Sequence, residues 1–226
     1  MKTHIIKILL IAMASMLLVN FGYSNETIID LHKKTEQGDV NAQYSLGTMY
    51  LKGEGVAQDK AEGIKWLRLA AEQGSATAQN NLGLAYLTGF GVERDPFEAV
   101  KWLRLSAEQG HARAQYNLAR AYLDGDGVNQ NNAEAIKWFT RSSEQNYAAS
   151  QYILGVAYEN GQGVEQDKAE AIKWYKRAAS QDYAAAQYNL GVILYASDKI
   201  EAIKLFKLAA QQGDEDAYRA LKQLGE

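Results

Sequence analysis

Two patterns of apolar and polar positions take turns along this chain, and the pair recurs every 36 residues. In the first pattern Ala42, Leu46, Met49 and Tyr50 fall at helical intervals, which predicts a helix A over about Ala42–Leu51. The same residue classes return at Ala78/Leu82/Tyr86, Ala114/Leu118/Tyr122 and Ser150/Leu154/Tyr158. In the second pattern Ile64, Trp66, Leu67, Ala70 and Ala71 line the buried faces of a helix B that ends near Gln73, with later copies ending near Gln109, Gln145 and Gln181. A fixed period in the 20–50 range predicts a repeat array. Neither helix can hide its apolar stripe alone, so the hairpins must stack on one another.

The punctuation between the patterns is equally regular. Gly47, Gly83, Gly155 and Gly191 lie inside helix A, where glycine costs roughly 0.8–1 kcal/mol relative to alanine. A cost repeated at one position implies a neighbour approaching the backbone closely, and Ala119 in the third copy fits that steric reading. Helix A stops at Gly-x-Gly-Val, with glycine pairs Gly53/Gly55, Gly89/Gly91, Gly125/Gly127 and Gly161/Gly163. The motif has no preceding strand, third glycine or Lys-Ser pair, so it reads as a left-handed helix end and tight turn, not a phosphate loop. Helix B opens on a cap residue followed three positions later by glutamate: Asp59/Glu62, Asp95/Glu98, Asn131/Glu134, Asp167/Glu170 and Asp198/Glu201. That spacing predicts a reciprocal capping box. Pro96, the one proline, falls at the first helical position. Gly74 and Gly110 follow helix B as stops, replaced later by Asn146 and Asp182.

Four copies fill residues 42–77, 78–113, 114–149 and 150–185. A fifth, at 186–213, is short by five residues, including the glycine turn, and has Leu205 where the others have tryptophan. Glu26–Gln37 reads as a lone B helix capping the N-terminal side over 25–41, with Ile28, Ile29 and Leu31 packed on the first copy. Ala217–Leu224 reads as a capping helix within 214–226.

These motifs resemble the Sel1-like repeat, a relative of the tetratricopeptide repeat with a longer loop between its helices. The resemblance rests on Ala42, Leu46, Gly47, Tyr50, Gly53, Gly55, Val56, Asp59, Ala61, Trp66, Ala70, Ala71 and Gly74, and on their later equivalents over nearly all of 42–213. Departures are Ala119 for glycine, Asn131 for aspartate, and Ser106 and Ser142 for alanine. The resemblance implies an all-α, right-handed superhelical solenoid whose A helices line the concave surface.

Residues 1–24 stand apart. Lys2 and Lys7 give a basic start, Ile8 to Val19 is almost entirely apolar, and Gly22 and Ser24 supply small residues for cleavage, the pattern of a secretory signal. The expectation is a mature chain beginning at Asn25, located in the periplasm, with secretion as an alternative and no stable membrane insertion after cleavage. Without cysteine the chain must hold together by packing alone and can form neither a thiol nucleophile nor an iron–sulfur site. The net charge of −3, about −5 without Lys2 and Lys7, argues against a nucleic-acid partner.

Catalysis requires convergent residues that break the repeat. His4, His32 and His111 have no metal-ligand spacing, and His111 reads as a surface turn residue. The acids recur as caps, and Ser106, Ser142, Ser143 and Ser150 stand where other copies have alanine. No metal, cofactor or catalytic residue is expected. The tryptophans Trp66, Trp102, Trp138 and Trp174 keep the period and read as packing between helices. Binding information should lie where the copies differ. Positions three and seven of helix A share one face. They supply Tyr44, Thr48, Asn80, Leu84, Tyr116, Arg120, Tyr152 and Tyr188, a candidate peptide-binding floor, with Phe90 as a further loop contact. Packing of these tyrosines on the next helix A is the competing reading. The leading function is a non-enzymatic adaptor or regulator in the bacterial envelope that binds an unidentified protein or peptide. The alternatives are a cell-wall-active hydrolase or β-lactam-binding protein, since some cysteine-rich Sel1-like relatives carry such descriptions, and a secreted host-interaction factor.

Overall fold

The computed structural model describes residues 25–226; the expected signal segment, 1–24, lies outside them. The described residues form twelve helices and no strands. They are α1 (Asn25–Glu36), α2 (Val40–Lys52), α3 (Lys60–Glu72), α4 (Ala76–Thr88), α5 (Pro96–Glu108), α6 (Ala112–Asp124), α7 (Asn132–Glu144), α8 (Ala148–Asn160), α9 (Lys168–Ala179), α10 (Ala184–Leu194), α11 (Lys199–Gln211) and α12 (Glu215–Leu224). Two compact units divide them after Gln109. In the first unit α1 packs on α2, and the hairpins α2–α3 and α4–α5 join through α3 and α4. In the second, α6–α7, α8–α9 and α10–α11 are hairpins joined through α7–α8 and α9–α10, and α12 closes on α11.

Each hairpin is held by close backbone approach. A Cβ added at Gly155 would lie 2.6 Å from the Tyr175 ring, and one at Gly83 would lie 2.7 Å from Leu103 Cγ. The A-helix glycines are therefore seats for the large B-helix side chains.

The two glycines of each Gly-x-Gly-Val turn divide the work. Gly53, Gly89, Gly125 and Gly161 end helix A in the left-handed conformation. Gly55, Gly91, Gly127 and Gly163 lie past that end at φ of 73–76°. Reading this second set as turn residues alone falls short, because the turn also packs on the preceding hairpin. A Cβ on Gly91 would stand 3.0 Å from both Ile64 Cγ1 and the Lys60 carbonyl, and one on Gly163 would stand 2.8 Å from the Asn132 carbonyl. The missing side chain thus lets one repeat's turn rest on the start of the previous repeat's B helix.

The caps make half of the expected box. Asp59, Asp95, Asn131, Asp167 and Asp198 each accept from the backbone N–H three residues on. The other half is corrected by the structure, because the cap residue's own N–H is already used. Asp59 N donates to Tyr50 O at 3.0 Å, and Asp95, Asn131 and Asp167 repeat this with Tyr86, Tyr122 and Tyr158. Asp198 N donates to Leu194 O at 2.7 Å in the shortened fifth copy. That bond ties the start of helix B to the end of helix A. The glutamates expected to complete the box pair with the lysine one turn on instead. Glu62 meets Lys65 at 3.1 Å, Glu98 meets Lys101 at 2.8 Å, and Glu134 meets Lys137 at 2.8 Å. Glu170 meets Lys173 at 2.6 Å and Glu201 meets Lys204 at 3.3 Å. Glu98 also accepts from Trp102 Nε1 at 3.0 Å. Such exposed ion pairs contribute only about 0.3–0.5 kcal/mol each.

A glutamine ladder, overlooked in the sequence, links exposed glutamines at the B-helix ends to buried ones on the A helices. Gln73, Gln109, Gln145, Gln181 and Gln212 donate to Gln43, Gln79, Gln115, Gln151 and Gln187 at 2.7–2.9 Å. Gln79, Gln151 and Gln187 donate in turn to the carbonyls of Ala71, Ser143 and Ala179. A buried amide must find both partners, and this repeat supplies them in register. The serines are likewise more than tolerated small residues. Ser106 Oγ donates to Ala76 O at 2.6 Å, Ser142 Oγ to Ala112 O at 2.8 Å, and Ser150 Oγ to Ser142 Oγ at 2.7 Å.

At the ends, Ile28 is buried while Ile29 is 46% exposed, because Ile29 lies about 100° further round the helix, off the face packed on α2. The helix α12 has the A-helix pattern, with Ala217 and Leu221 buried. It carries Tyr218, 64% exposed, and Lys222 at the positions that hold the ladder glutamine and the small residue in the other A helices.

Candidate functional site

The candidate floor falls into two parts, one in each unit. In the first unit Thr48 and Leu84 line an open, mainly apolar groove of about 280 Å³ together with Leu51, Ala85, Thr88 and Phe90. Phe90 is 41% exposed, and the Lys60 ammonium sits 4.5 Å from its ring centroid. The loop aromatic thus joins two of the floor residues. Tyr44 accepts from Asn81 Nδ2 at 3.4 Å. Asn80 does not belong to an open floor. It is 1% exposed and donates to Asn81 Oδ1, so its amide is part of the core.

In the second unit the floor is aromatic. Tyr116 packs on Phe139 with centroids 5.6 Å apart, Tyr152 on Tyr175 at 6.0 Å, and Tyr188 on Phe206 at 5.8 Å. The tyrosines therefore rest on their own B helices rather than standing free. Two further tyrosines complete the surface: Tyr147 lies 5.3 Å from Tyr116, and Tyr183 lies 5.2 Å from Tyr152. All four rings are half-buried. Burial raises the phenols of Tyr152 and Tyr183 above their usual value, and the buried Tyr175 beneath Tyr152 is raised further by burial and by its bond to Glu159. Arg120 is exposed at the Tyr116 edge and pairs with Asp124 at 3.0 Å.

Tyr147 and Tyr183 escaped the reading of the sequence, although a signal was present. They occupy the N-cap positions of α8 and α10, where α2, α4, α6 and α12 have Asp39, Ser75, His111 and Asp214. Those four side chains accept from a backbone N–H of their helix; Tyr147 and Tyr183 make no side-chain cap bond. The preceding residues, Asn146 and Asp182, hold φ of 60° and 59°, where the other turns place glycine. Both turns thus break the local rule twice. A lost cap is worth about 1 kcal/mol, and a left-handed non-glycine residue costs of order 1 kcal/mol.

The remaining candidates are structural. His111 is half-buried, not a plain surface residue, and its Nδ1 accepts from Ala114 N at 3.2 Å. Burial and Arg113 hold its pKa below the usual value. His32 also lies below the usual value through burial, against which Glu36 and Glu62 act; its ring meets Tyr50 and Trp66 edge-on. Trp138 is buried and the other tryptophans half-buried; Arg141 and Arg177 stack on Trp138 and Trp174. Among the described residues no group of three or more His, Cys, Asp or Glu side chains is placed to hold a metal ion. No described helix is long and apolar enough to cross a membrane.

Helical hairpins joined by short turns and repeated along the chain define an all-α helical repeat scaffold. The Sel1 repeat pattern matches residues 40–75, 76–111, 112–147, 148–183 and 184–214, and the chain belongs to the Sel1 repeat family. It is a protein-interaction scaffold of that family. It is similar to c5321, described as a protective antigen present in uropathogenic Escherichia coli strains, at 36% identity and a TM-score of 0.81. That match covers 86% of this chain but 44% of c5321. It is similar to a Sel1 repeat protein from Oxalobacter formigenes at 31% identity and a TM-score of 0.78, over 88% of this chain and 87% of that one. An immunity protein from Pseudomonas aeruginosa, Pa5087, shares the fold at 18% identity and a TM-score of 0.53, over 87% of this chain and 78% of its own. A search of curated proteins gave no match.

Proposed function

We propose that this protein is an adaptor of the bacterial envelope that binds a protein segment on the tyrosine face of its second unit. The observation that carries the reading is the double break at 146–147 and 182–183. Two turns give up both glycine and cap, and each delivers a tyrosine onto a neighbouring A-helix tyrosine. Departures from local consistency concentrate at functional positions, and half-exposed tyrosines are common interface anchors. The apolar groove at Thr48, Leu84 and Phe90 is a second contact region on the same scaffold. Envelope location rests on the basic and apolar pattern of residues 1–24. An intact mass beginning at Asn25 supports it, and one beginning at Met1 contradicts it.

The test is a photo-crosslinking amino acid placed at Tyr147 or Tyr183, with Phe97 as an exposed control. One and the same protein should crosslink from 147 and 183 in cells and not from 97. Equal yield from all three positions would refute the choice of face. A second reading is favoured by the likeness to c5321: a factor presented to a host. Protease accessibility on intact cells separates the two, since a periplasmic adaptor stays protected.

A further inference from the structure

The tyrosine face is unevenly charged, and the charge narrows the partner. At the Tyr116 edge the Arg120 guanidinium is already taken up by Asp124. At the Tyr152 edge the balance is reversed. Tyr175, packed on Tyr152, donates to Glu159 Oε2 at 2.6 Å, and Asn189 Nδ2 approaches the same hydroxyl at 3.3 Å. Among the described residues the Glu159 carboxylate therefore has hydroxyl company and no cation. Asp214, near enough to act on Tyr152, spends its carboxylate on capping α12 through Ala217 N at 2.8 Å. Asp182, next to Tyr183, meets the Gln187 amide at 3.5 Å. Two carboxylates, Glu159 and Asp214, thus act on Tyr152, and both are met by neutral donors. Aromatic ring faces are themselves electronegative and attract cations, above all where water is partly excluded. Ring faces and carboxylates therefore act with one sign, and an acidic segment would be repelled by both.

Resting on the reading of this face as the partner surface, we propose that the bound segment presents a lysine or arginine that seats on Tyr152 and Tyr183 within reach of Glu159 and Asp214. Its apolar stem covers ring surface while its charge faces the carboxylates. The attraction is partly long-range, so binding weakens with salt.

The full chain, labelled with ¹³C-tyrosine, is titrated with tetra-arginine amide and, separately, with tetra-glutamate. Tetra-arginine should move the ring signals of Tyr147, Tyr152 and Tyr183 in a saturable way and leave Tyr44 unmoved; tetra-glutamate should move none. Glu159→Gln keeps an acceptor for the Tyr175 hydroxyl and should weaken tetra-arginine binding about five-fold, as should Tyr152→Leu, while Tyr152→Phe stays within about two-fold of wild type. Equal binding of both peptides, or no effect of Glu159→Gln, overturns the proposal. A random dodecapeptide display library panned on the full chain tells its failure from that of the face itself. Selected peptides that lose binding to the Tyr152→Leu/Tyr183→Leu protein yet carry no excess of lysine or arginine sink the cation and keep the face. Peptides that bind the double variant as well as wild type sink the face too. Thermal melts of each variant confirm that the fold is retained.

Discussion

The α3–α4 turn of the first unit and the α7–α8 and α9–α10 turns of the second perform one mechanical task with opposite residues. At α3–α4, Gly74 takes φ of +92° without strain and Ser75 caps the next helix. At the other two turns Asn146 and Asp182 hold the left-handed conformation, and tyrosines stand where the cap should be. Within the second unit itself, the α11–α12 turn returns to the first solution, with Gly213 at φ of +89° and Asp214 as cap. The fold therefore does not demand tyrosine turns. Each forgoes about 2 kcal/mol of local stabilisation, and a stacked aromatic pair restores about 0.5–1.5 kcal/mol beyond the area it buries. What distinguishes the two kinds of turn is the surface they build.

The comparison can be tested first on what the two units share. Gly83→Val and Gly155→Val should both destabilise by about 1–3 kcal/mol in urea unfolding, since each drives a side chain into Leu103 or Tyr175. A tolerant response at either glycine would mean that the hairpins are not equivalent. The next largest effect should be confined to the second unit. Tyr147→Ser with Tyr183→Ser should weaken partner binding at least ten-fold, about 1.4 kcal/mol, while each new serine can supply the cap its turn lacks. A pull-down that retains partner, beside an unchanged melting temperature, would separate these turns from function. In the first unit Ser75→Ala should cost about 1 kcal/mol, whereas Tyr147→Phe should leave stability nearly unchanged, because the hydroxyl caps nothing. Smaller still, Asn146→Gly and Asp182→Gly should each raise stability by about 0.5 kcal/mol by relieving the left-handed residue.

The slightest effect is with pH. The imidazoles of His32 and His111 are held below their usual value of 6.5, so the native state favours the neutral ring. The unfolded chain takes up protons first as pH falls. This contribution is complete above about pH 6.5 and is lost as pH drops through the depressed native values. His111→Ser keeps a capping oxygen that does not titrate in this range and should flatten part of the decline between pH 7 and 5. An unchanged slope in chemical denaturation across that range would remove His111 from the account.

Much of this could be read from the chain because it is written in short-range terms. A left-handed glycine, a cap three residues from its donor and an apolar stripe at helical spacing each involve neighbours in sequence. Repetition made each one visible several times over. The twelve helices, the glycine turns and the family followed from that. The same short-range view found Tyr116 and Tyr152 but passed over Tyr147 and Tyr183. Their deviation was noticed at Asn146 and Asp182 and not followed one residue further. It also assigned Glu62, Glu98, Glu134, Glu170 and Glu201 to the caps, since spacing alone does not show that a helix-A carbonyl reaches the cap N–H first.

What the sequence determined by itself was the helical hairpin and its period, since helix propensity, capping and turn chemistry act between residues within about four positions of each other. Only the tertiary structure decided where the polar groups went. It gave the cap N–H of helix B to a tyrosine carbonyl nine residues back, buried Asn80, and paired glutamines thirty residues apart. It also set Tyr147 and Tyr183 on partners thirty-one residues away. Such contacts depend on how one hairpin is rotated against the next, and that rotation is fixed by the packing of whole side chains, not by any local pattern.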